Sequence, residues 1–182
     1  MVVRAFLRCV GVQFSDDEIK ASSNEPVDVV FRAARFQIME ILGSRKRGLA
    51  WREREVRYKN AKQVSDVLEP WTSSEPMLFG EVSRMIAEGL AKKASHYGVN
   101  NCSKLDALVN VDLSGRHLWP LESNLEAEVT DSLNQQGWRS VSKLLLPYGL
   151  VLIAKPDAPD FLKDNAGVIR NEWTDADGWF DV

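Results

Sequence analysis

The sequence predicts an α/β fold, a single domain in which helices flank a mixed β-sheet. Apolar residues recur at helical spacing in several segments, and β-branched and aromatic residues form strand-sized runs in others. These two kinds of segment follow one another along the chain instead of forming separate blocks. The length of 182 residues and the hydrophobic content of 45% suit one domain with its own core. We therefore expect residues 1–182 to form a single domain that ends in an acidic tail at about 170–182.

The first half of the chain is predicted to contain three helices and three strands. Val3, Phe6 and Leu7 share one face of an N-terminal helix. The runs 27–31 (VDVVF) and 36–42 (FQIMEIL) are typical of strands, and the short Arg-Ala-Ala-Arg link between them predicts a hairpin. In chain order we predict a helix over 1–10, strands over 18–21, 27–31 and 36–42, and helices over 49–68 and 76–97.

The second half is predicted to alternate strands with shorter helices. The run LDALVNVDL is strand-like, and a Pro-Tyr-Gly turn joins two further strand-like runs. In chain order we predict a strand over 105–113, a helix over 121–135, strands over 140–146 and 150–154, and a short helix over 158–165. The acidic tail carries Trp173, Trp179 and Phe180, which we expect to dock on the body of the domain.

Composition excludes several classes of protein. The cysteines, Cys9 and Cys102, lie far apart and form neither a zinc-binding pattern nor a disulfide framework. The N-terminal segment is interrupted by Arg4 and Arg8, which is unlike a signal peptide, and no apolar run is long enough to span a membrane. We expect a cytoplasmic protein without a membrane partner.

Charge is distributed unevenly along the chain, although the net charge is only −3. Residues 44–62 contain eight basic residues and only two acidic ones, whereas acidic residues dominate from Asp157 onwards. This asymmetry indicates a polyanion as partner of the basic segment. A solvated helix face is the alternative interpretation. The residues we assign to DNA or RNA binding are Arg45, Lys46, Arg47, Arg52, Arg54 and Lys59.

The sequence contains none of the motifs GxxxxGK[ST], GxGxxG, HExxH or GxSxG. Its histidines, His96 and His117, are isolated from one another. No arrangement of nucleophile, base and orienting group can be assembled from these residues, so a nucleophilic hydrolase is not indicated.

The most informative segment is the predicted hairpin. Asp28 interrupts the run VDVVF, although Asp is a poor strand former. An acid at the mouth of one strand, followed by a second strand about ten residues later, resembles the skeleton of the PD-(D/E)xK nucleases. That resemblance implies that Asp28 and a second acid bind Mg²⁺ and that a lysine helps to activate water. Asp28 has an alternative interpretation as a turn cap or an arginine partner.

A wider resemblance covers nearly the whole chain. The segments NEPVDVVFRAARFQIMEIL, KKASHYG and GWRSVS…PYGLVL look like DUF1780, a bacterial family of unknown function whose members are regarded as endonucleases. The resemblance implies a restriction-endonuclease-like fold. It also implies an endonuclease that depends on Mg²⁺ or Mn²⁺ and acts on nucleic-acid phosphodiesters.

Strand alternation predicts which side chains share a face. If Ala33 and Ala34 form the tip of the hairpin, Asp28 lies opposite Met39. Gln37 and Met39 then occupy the (D/E)xK positions on the face of Asp28, and Glu40 points to the other face. The motif is therefore degenerate, because an amide replaces the second acid and a thioether replaces the lysine.

Three candidates could complete the degenerate motif. A β-bulge could turn Glu40 towards Asp28, or Glu18 or Lys20 on the neighbouring strand could supply the missing group. The candidate catalytic residues are therefore Asp28, Gln37, Glu40 and Glu18, with Asp28 as the metal ligand.

Three functional hypotheses are consistent with these residues. The first is a metal-dependent endonuclease. The second is a catalytically inactive module on the same fold that binds nucleic acid or protein. The third is a structural partner protein whose acidic tail mimics or masks a polyanion. The sequence leaves open whether the chain forms a homodimer.

Overall fold

The computed structural model describes residues 2–42, 56, 59–61, 79–112 and 127–171. Within these ranges the helices are α1 (Val2–Cys9), α2 (Phe79–Tyr97), α3 (Val99–Cys102), α4 (Ala127–Gln135) and α5 (Asp160–Lys163). The strands are β1 (Ile19–Ala21), β2 (Val29–Phe31), β3 (Ala34–Leu42), β4 (Asp106–Asp112), β5 (Ser140–Leu145), β6 (Tyr148–Ala154) and β7 (Ile169–Asn171). A 3-10 turn, Asp16–Glu18, precedes β1.

The seven strands form one mixed sheet whose spatial order follows the chain order, β1 to β7. The central strands β3, β4 and β5 are parallel, and antiparallel pairs extend the sheet on both sides. The connections β3–β4 and β4–β5 are long, as parallel neighbours require, and both contain helix. The predicted α/β fold with a mixed sheet flanked by helices is confirmed.

Helices cover both faces of the sheet. On one side, called here the α2 face, α2 and α4 pack against the sheet through residues such as Ile86, Leu90 and Leu133. On the other side, the α1 face, α1 and α5 contribute Phe6 and Leu162 to a second core. Burying each side chain of this size stabilises the fold by about 1.5–3 kcal/mol. In the described part of the chain, no helix is both long and apolar enough to cross a membrane.

Most elements predicted within the described residues are present, and β3 begins at Ala34, two residues before the predicted start. The structure adds α3 and β7, which are four and three residues long and too short to show a periodic pattern. It also begins β6 at Tyr148, because Leu145 pairs with Tyr148 across a tight turn. The predicted helix over 49–68 and the tail after Asn171 lie outside the described residues, apart from Val56, Lys59 and Asn60, which are helical.

A buried ion pair ties together the starts of the three parallel strands. Asp106, with 0% of its surface exposed, pairs with Arg139. It also accepts hydrogen bonds from the Ser140 hydroxyl at 2.8 Å and the Arg35 backbone N–H at 2.9 Å. Arg139 additionally donates to the carbonyl of Ala33 at 3.0 Å. The cluster therefore holds the β2–β3 turn against β4 and β5.

Lys143 on β5 is 3% exposed. Its removal from water lowers its pKa to about 7. In the unfolded chain, Lys143 has the ordinary lysine pKa. The folded protein must therefore bury a charged ammonium at low pH, which destabilises the fold. This cost disappears as the pH rises from the folded towards the unfolded pKa. We expect the free energy of unfolding to increase by about 2 kcal/mol between pH 7 and pH 9, as measured by urea denaturation.

The matched variant for this prediction is Lys143→Met, which keeps the length of the side chain and removes its charge. It should be more stable than the wild-type protein at pH 7 and should lose most of the increase towards pH 9. The same pH dependence in both proteins would contradict the assignment to Lys143.

Candidate functional site

The register of the β2–β3 hairpin differs from the predicted one by two residues. Phe31 pairs with Ala34 and Val29 with Phe36, so Arg32 and Ala33 form the turn. Asp28 immediately precedes β2 and contacts Gln37, so the predicted pairing of Asp28 with Met39 is wrong. Because side chains repeat every two residues along a strand, a shift of two keeps every side chain on its predicted face.

Asp28 and Gln37 are in direct contact. The Oδ2 atom of Asp28 accepts hydrogen bonds from Gln37 Nε2 at 2.9 Å and from the Ile38 backbone N–H at 2.6 Å. Gln37 is 4% exposed, whereas Asp28 is exposed to solvent. Both described hydrogen bonds of the Asp28 carboxylate reach Oδ2.

Lys93 of α2 completes this network. Its Nζ donates to Gln37 Oε1 at 2.8 Å and lies 3.4 Å from the carbonyl oxygen of Ile38. Gln37 thus bridges the carboxylate of Asp28 and the ammonium of Lys93, one through each end of its amide. Partial burial lowers the pKa of Lys93, and the charge of Asp28 opposes this effect. We refer to Asp28, Gln37 and Lys93 as the polar triad.

A close approach of α2 to β3 brings Lys93 to Gln37. A Cβ atom at Gly89 would lie 2.9 Å from Met39 Cε, so the glycine leaves room for the methionine side chain. Lys93 lies one helical turn after Gly89, and Gln37 lies two residues before Met39 on the same face of β3. The Gly89–Met39 and Lys93–Gln37 contacts are therefore neighbours along one helix–strand interface.

Lys93 is not among the residues predicted for the site, although the sequence does contain a signal. Lys93 follows Leu90 by three residues and Ile86 by seven, so it falls within the apolar stripe of the predicted helix. A charged residue in such a stripe points towards the core. The neighbouring His96 is exposed and lies outside the triad.

Tyr97 lies one turn beyond Lys93 and faces the same region. Burial raises the pKa of the Tyr97 phenol, and the nearby charges of Asp28 and Glu25 raise it further. The phenol therefore lies close to two carboxylates. Its ring packs edge-on against Trp138, which is fully buried.

Glu18 does not join Asp28. Its carboxylate accepts hydrogen bonds from Arg32 at 2.7 and 3.3 Å, at the turn end of the hairpin. This interaction lowers the pKa of Glu18 to about 2. Arg32 has a φ of 50°, which is uncommon outside glycine, and the ion pair helps to hold the turn in that conformation. The backbone of Asp28 is bonded instead to Ser22, which follows β1. The Ser22 backbone N–H donates to the Asp28 carbonyl at 2.9 Å.

Glu40 faces away from Asp28, as strand alternation predicts. The pairing of β3 with β4 runs without interruption from Phe36–Asp106 to Leu42–Asp112, so this pairing contains no bulge that would turn Glu40 inwards. Lys20 pairs with Val30 and lies on the face of Asp28, one same-face position from it. Of the three candidates for completing the motif, the structure brings only Lys20 to the correct face.

The predicted nucleic-acid-binding segment is mostly outside the described residues. Arg45, Lys46, Arg47, Arg52 and Arg54 all fall there, and Lys59 is helical and exposed. Within the described ranges, no three His, Cys, Asp or Glu residues cluster as a metal site would require. The candidate site therefore rests on one carboxylate, that of Asp28.

Comparison with known families identifies relatives over nearly the full length. The family model described as "Putative endonuclease, protein of unknown function (DUF1780)" matches residues 1–174. The chain belongs to the DUF1780 family. The resemblance seen in the sequence is thereby confirmed, and the family description supports a nuclease-like role for this DUF1780 protein. A search of curated proteins found no match.

Among solved structures, the DUF1780 chain is similar to a protein of unknown function from Pseudomonas aeruginosa strain PAO1, described as belonging to the monooxygenase superfamily. The two share 25% sequence identity and a TM-score of 0.68, over 93% of this chain and 78% of the other. The α/β architecture is therefore shared. Neither the family description nor the similar structure names a restriction-endonuclease-like fold, which therefore stays a prediction.

Proposed function

We propose that this DUF1780 protein is an endonuclease that hydrolyses nucleic-acid phosphodiesters at the polar triad, on a restriction-endonuclease-like arrangement of strands. The contact of Lys93 Nζ with Gln37 Oε1, at 2.8 Å, is the observation that carries the proposal. It places a lysine beside the residue that occupies the second acid position of the (D/E)xK motif. The lysine absent from position 39 is thus supplied by α2.

The residues present suit Mg²⁺ or Mn²⁺ when the substrate contributes ligands. Mg²⁺ is commonly held by one or two carboxylates together with substrate phosphates and water. Asp28 would be the protein ligand, because its side chain is exposed and its described hydrogen bonds use Oδ2 alone. Gln37 is less suitable, because its Oε1 accepts from the ammonium of Lys93. When bound, the metal would activate water and neutralise charge on the phosphate.

Each member of the triad has a separate role in this proposal. Asp28 holds the metal, and Lys93 donates to a phosphate oxygen as negative charge develops on it. Gln37 positions both, because its amide contacts both side chains at once. Tyr97, one helical turn beyond Lys93 on α2, offers a further hydrogen-bond donor.

The alternative is a binding module that has lost its chemistry. One observation favours it, namely the neutral amide of Gln37 in place of an acid, which leaves the triad with a single carboxylate. Such a module would bind nucleic acid or protein through the same face and would cleave nothing with either metal.

Gln37→Glu tests the proposal directly. The new carboxylate would pair with Lys93 and stand about 3 Å from Asp28, a spacing that favours a shared cation. We expect Mn²⁺ to raise the melting temperature of Gln37→Glu by several degrees more than that of the wild-type protein. Nicking of supercoiled plasmid and cleavage of RNA should both become faster, with Mg²⁺ as well as Mn²⁺.

The control for this prediction is Gln13→Glu, which makes the same change of charge at an exposed position before β1. It should leave metal-dependent stabilisation and nicking unchanged. If Gln37→Glu gains neither property, the contact between Asp28 and residue 37 is not a metal site, and the binding module is the better description.

A further inference from the structure

Two exposed basic side chains lie beside the polar triad on the α2 face of the sheet. Lys20 pairs with Val30, and Val30 pairs with Arg35, so the three residues form one row across β1, β2 and β3. The adjacent row on the same face contains Gln37, which contacts Asp28. We call the row of Lys20, Val30 and Arg35 the cationic row.

Several basic residues of the fold are engaged by carboxylates, unlike Lys20 and Arg35. Arg4, Arg32, Arg139 and Lys163 each pair with a carboxylate of the fold. Lys20 and Arg35 are exposed, and within the described contacts their side chains pair with no acid of the protein. Arg35 engages Asp106 through its backbone N–H alone. Both charged groups are therefore available to a ligand.

The dimensions of the row match a polyanionic strand. Residues two apart along a strand are separated by about 6.6 Å, and neighbouring strands by about 4.8 Å. Lys20 and Arg35 thus start about 10 Å apart, each one row away from the triad. Long lysine and arginine side chains can reach phosphates on either side of one held at Asp28. Arginine binds phosphate through two parallel N–H donors and lysine as a point charge.

We propose that Lys20 and Arg35 bind backbone phosphates that flank the scissile phosphodiester. This inference rests on the proposed function for its class of ligand, a nucleic-acid strand. Charge supplies the physical reason, because Asp28 and Glu25 alone would repel a polyanion and the two cations offset that repulsion. Val30 between them is apolar and partly buried and reads no base edge, so the contact is independent of sequence.

Binding without cleavage tests this inference. Fluorescence anisotropy of labelled single-stranded DNA, duplex DNA and RNA is measured in EDTA, at several salt concentrations. Lys20→Ala plus Arg35→Ala should weaken binding about tenfold at about 50 mM salt and lower the salt dependence of log K by about 1.8 for duplex DNA. Lys20→Arg plus Arg35→Lys retains both charges and should keep the wild-type salt dependence.

The matched control removes two positive charges from the opposite face. Arg8→Ala plus Lys163→Ala changes the solvent-facing sides of α1 and α5, which cover the α1 face. Equal losses in the two alanine pairs, or no binding by the wild-type protein at low salt, would overturn the inference. Selective loss in the Lys20 and Arg35 pair supports it even if the protein cleaves nothing. Conversely, cleavage with unchanged binding in that pair would overturn it while the proposed function stands.

Discussion

Asp28→Asn and Lys93→Met are each expected to reduce the nicking of supercoiled plasmid with Mn²⁺ below detection. The amide oxygen of the introduced asparagine can still accept the hydrogen bond that the Ile38 backbone N–H donates to Asp28, so the hairpin should persist while the charge is lost. Methionine keeps the length of Lys93 and removes the ammonium that contacts Gln37. The two losses have different causes, since the first removes the metal ligand and the second the phosphate donor.

The wild-type baseline for this test is expected to be low. One carboxylate and water hold a divalent cation loosely, so cleavage should be slow with Mn²⁺ and barely detectable with Mg²⁺. Highly purified protein and an RNA substrate in parallel are needed for the measurement. Cleavage that survives Asp28→Asn would place the active centre elsewhere or in a contaminant.

Glu40→Gln is the matched control. It removes a carboxylate that the sequence makes a candidate, and the uninterrupted pairing of β3 with β4 leaves Glu40 facing away from Asp28. The variant should nick plasmid at the wild-type rate. Loss of activity in Glu40→Gln would show that β3 changes register or conformation when substrate binds.

Asp106→Ala is expected to destabilise the fold by about 3–5 kcal/mol. The change leaves Arg139, whose side chain is only 14% exposed, without its charged partner. It also removes the acceptor for the Ser140 hydroxyl and the Arg35 backbone N–H. Because these donors lie on β3 and β5, the loss should loosen the starts of all three parallel strands. Urea denaturation followed by circular dichroism measures the effect.

Asp160→Ala provides the comparison for this variant. Asp160 also pairs with a basic residue, Lys163 at 2.8 Å, but its side chain is 88% exposed. Solvent screens such a pair, so its removal should leave the free energy of unfolding almost unchanged. Similar losses in the two variants would mean that burial does not set the contribution of Asp106.

The candidate site was predictable in part. Asp28 was identified because an acid is unusual within a strand, and its shared face with Gln37 follows from alternation. The exclusion of Glu40 follows from the same rule. Glu18 was predicted to lie near Asp28, but it pairs with Arg32 at the turn of the hairpin. Its position in the sequence, just before β1, does not reveal that partner.

Local chemistry explains what the sequence by itself determined about this protein. Helical periodicity, strand alternation and the short link between β2 and β3 depend on neighbouring residues, and they predict the α/β class, the hairpin and the face of each hairpin side chain. The turn at Arg32 and Ala33, in contrast, sets the register that pairs Asp28 with Gln37. That turn depends on contacts with Glu18 and Arg139, which are distant in the chain.

Only the tertiary structure decided that Lys93 belongs to the site. Lys93 and Gln37 are 56 residues apart, and their contact requires the packing of α2 against β3 beside Gly89 and Met39. The pairing of Asp106 on β4 with Arg139, the residue before β5, likewise joins segments that are distant in the chain. Such contacts depend on how the faces of remote elements fit together, and periodicity within a segment contains no information about its partner.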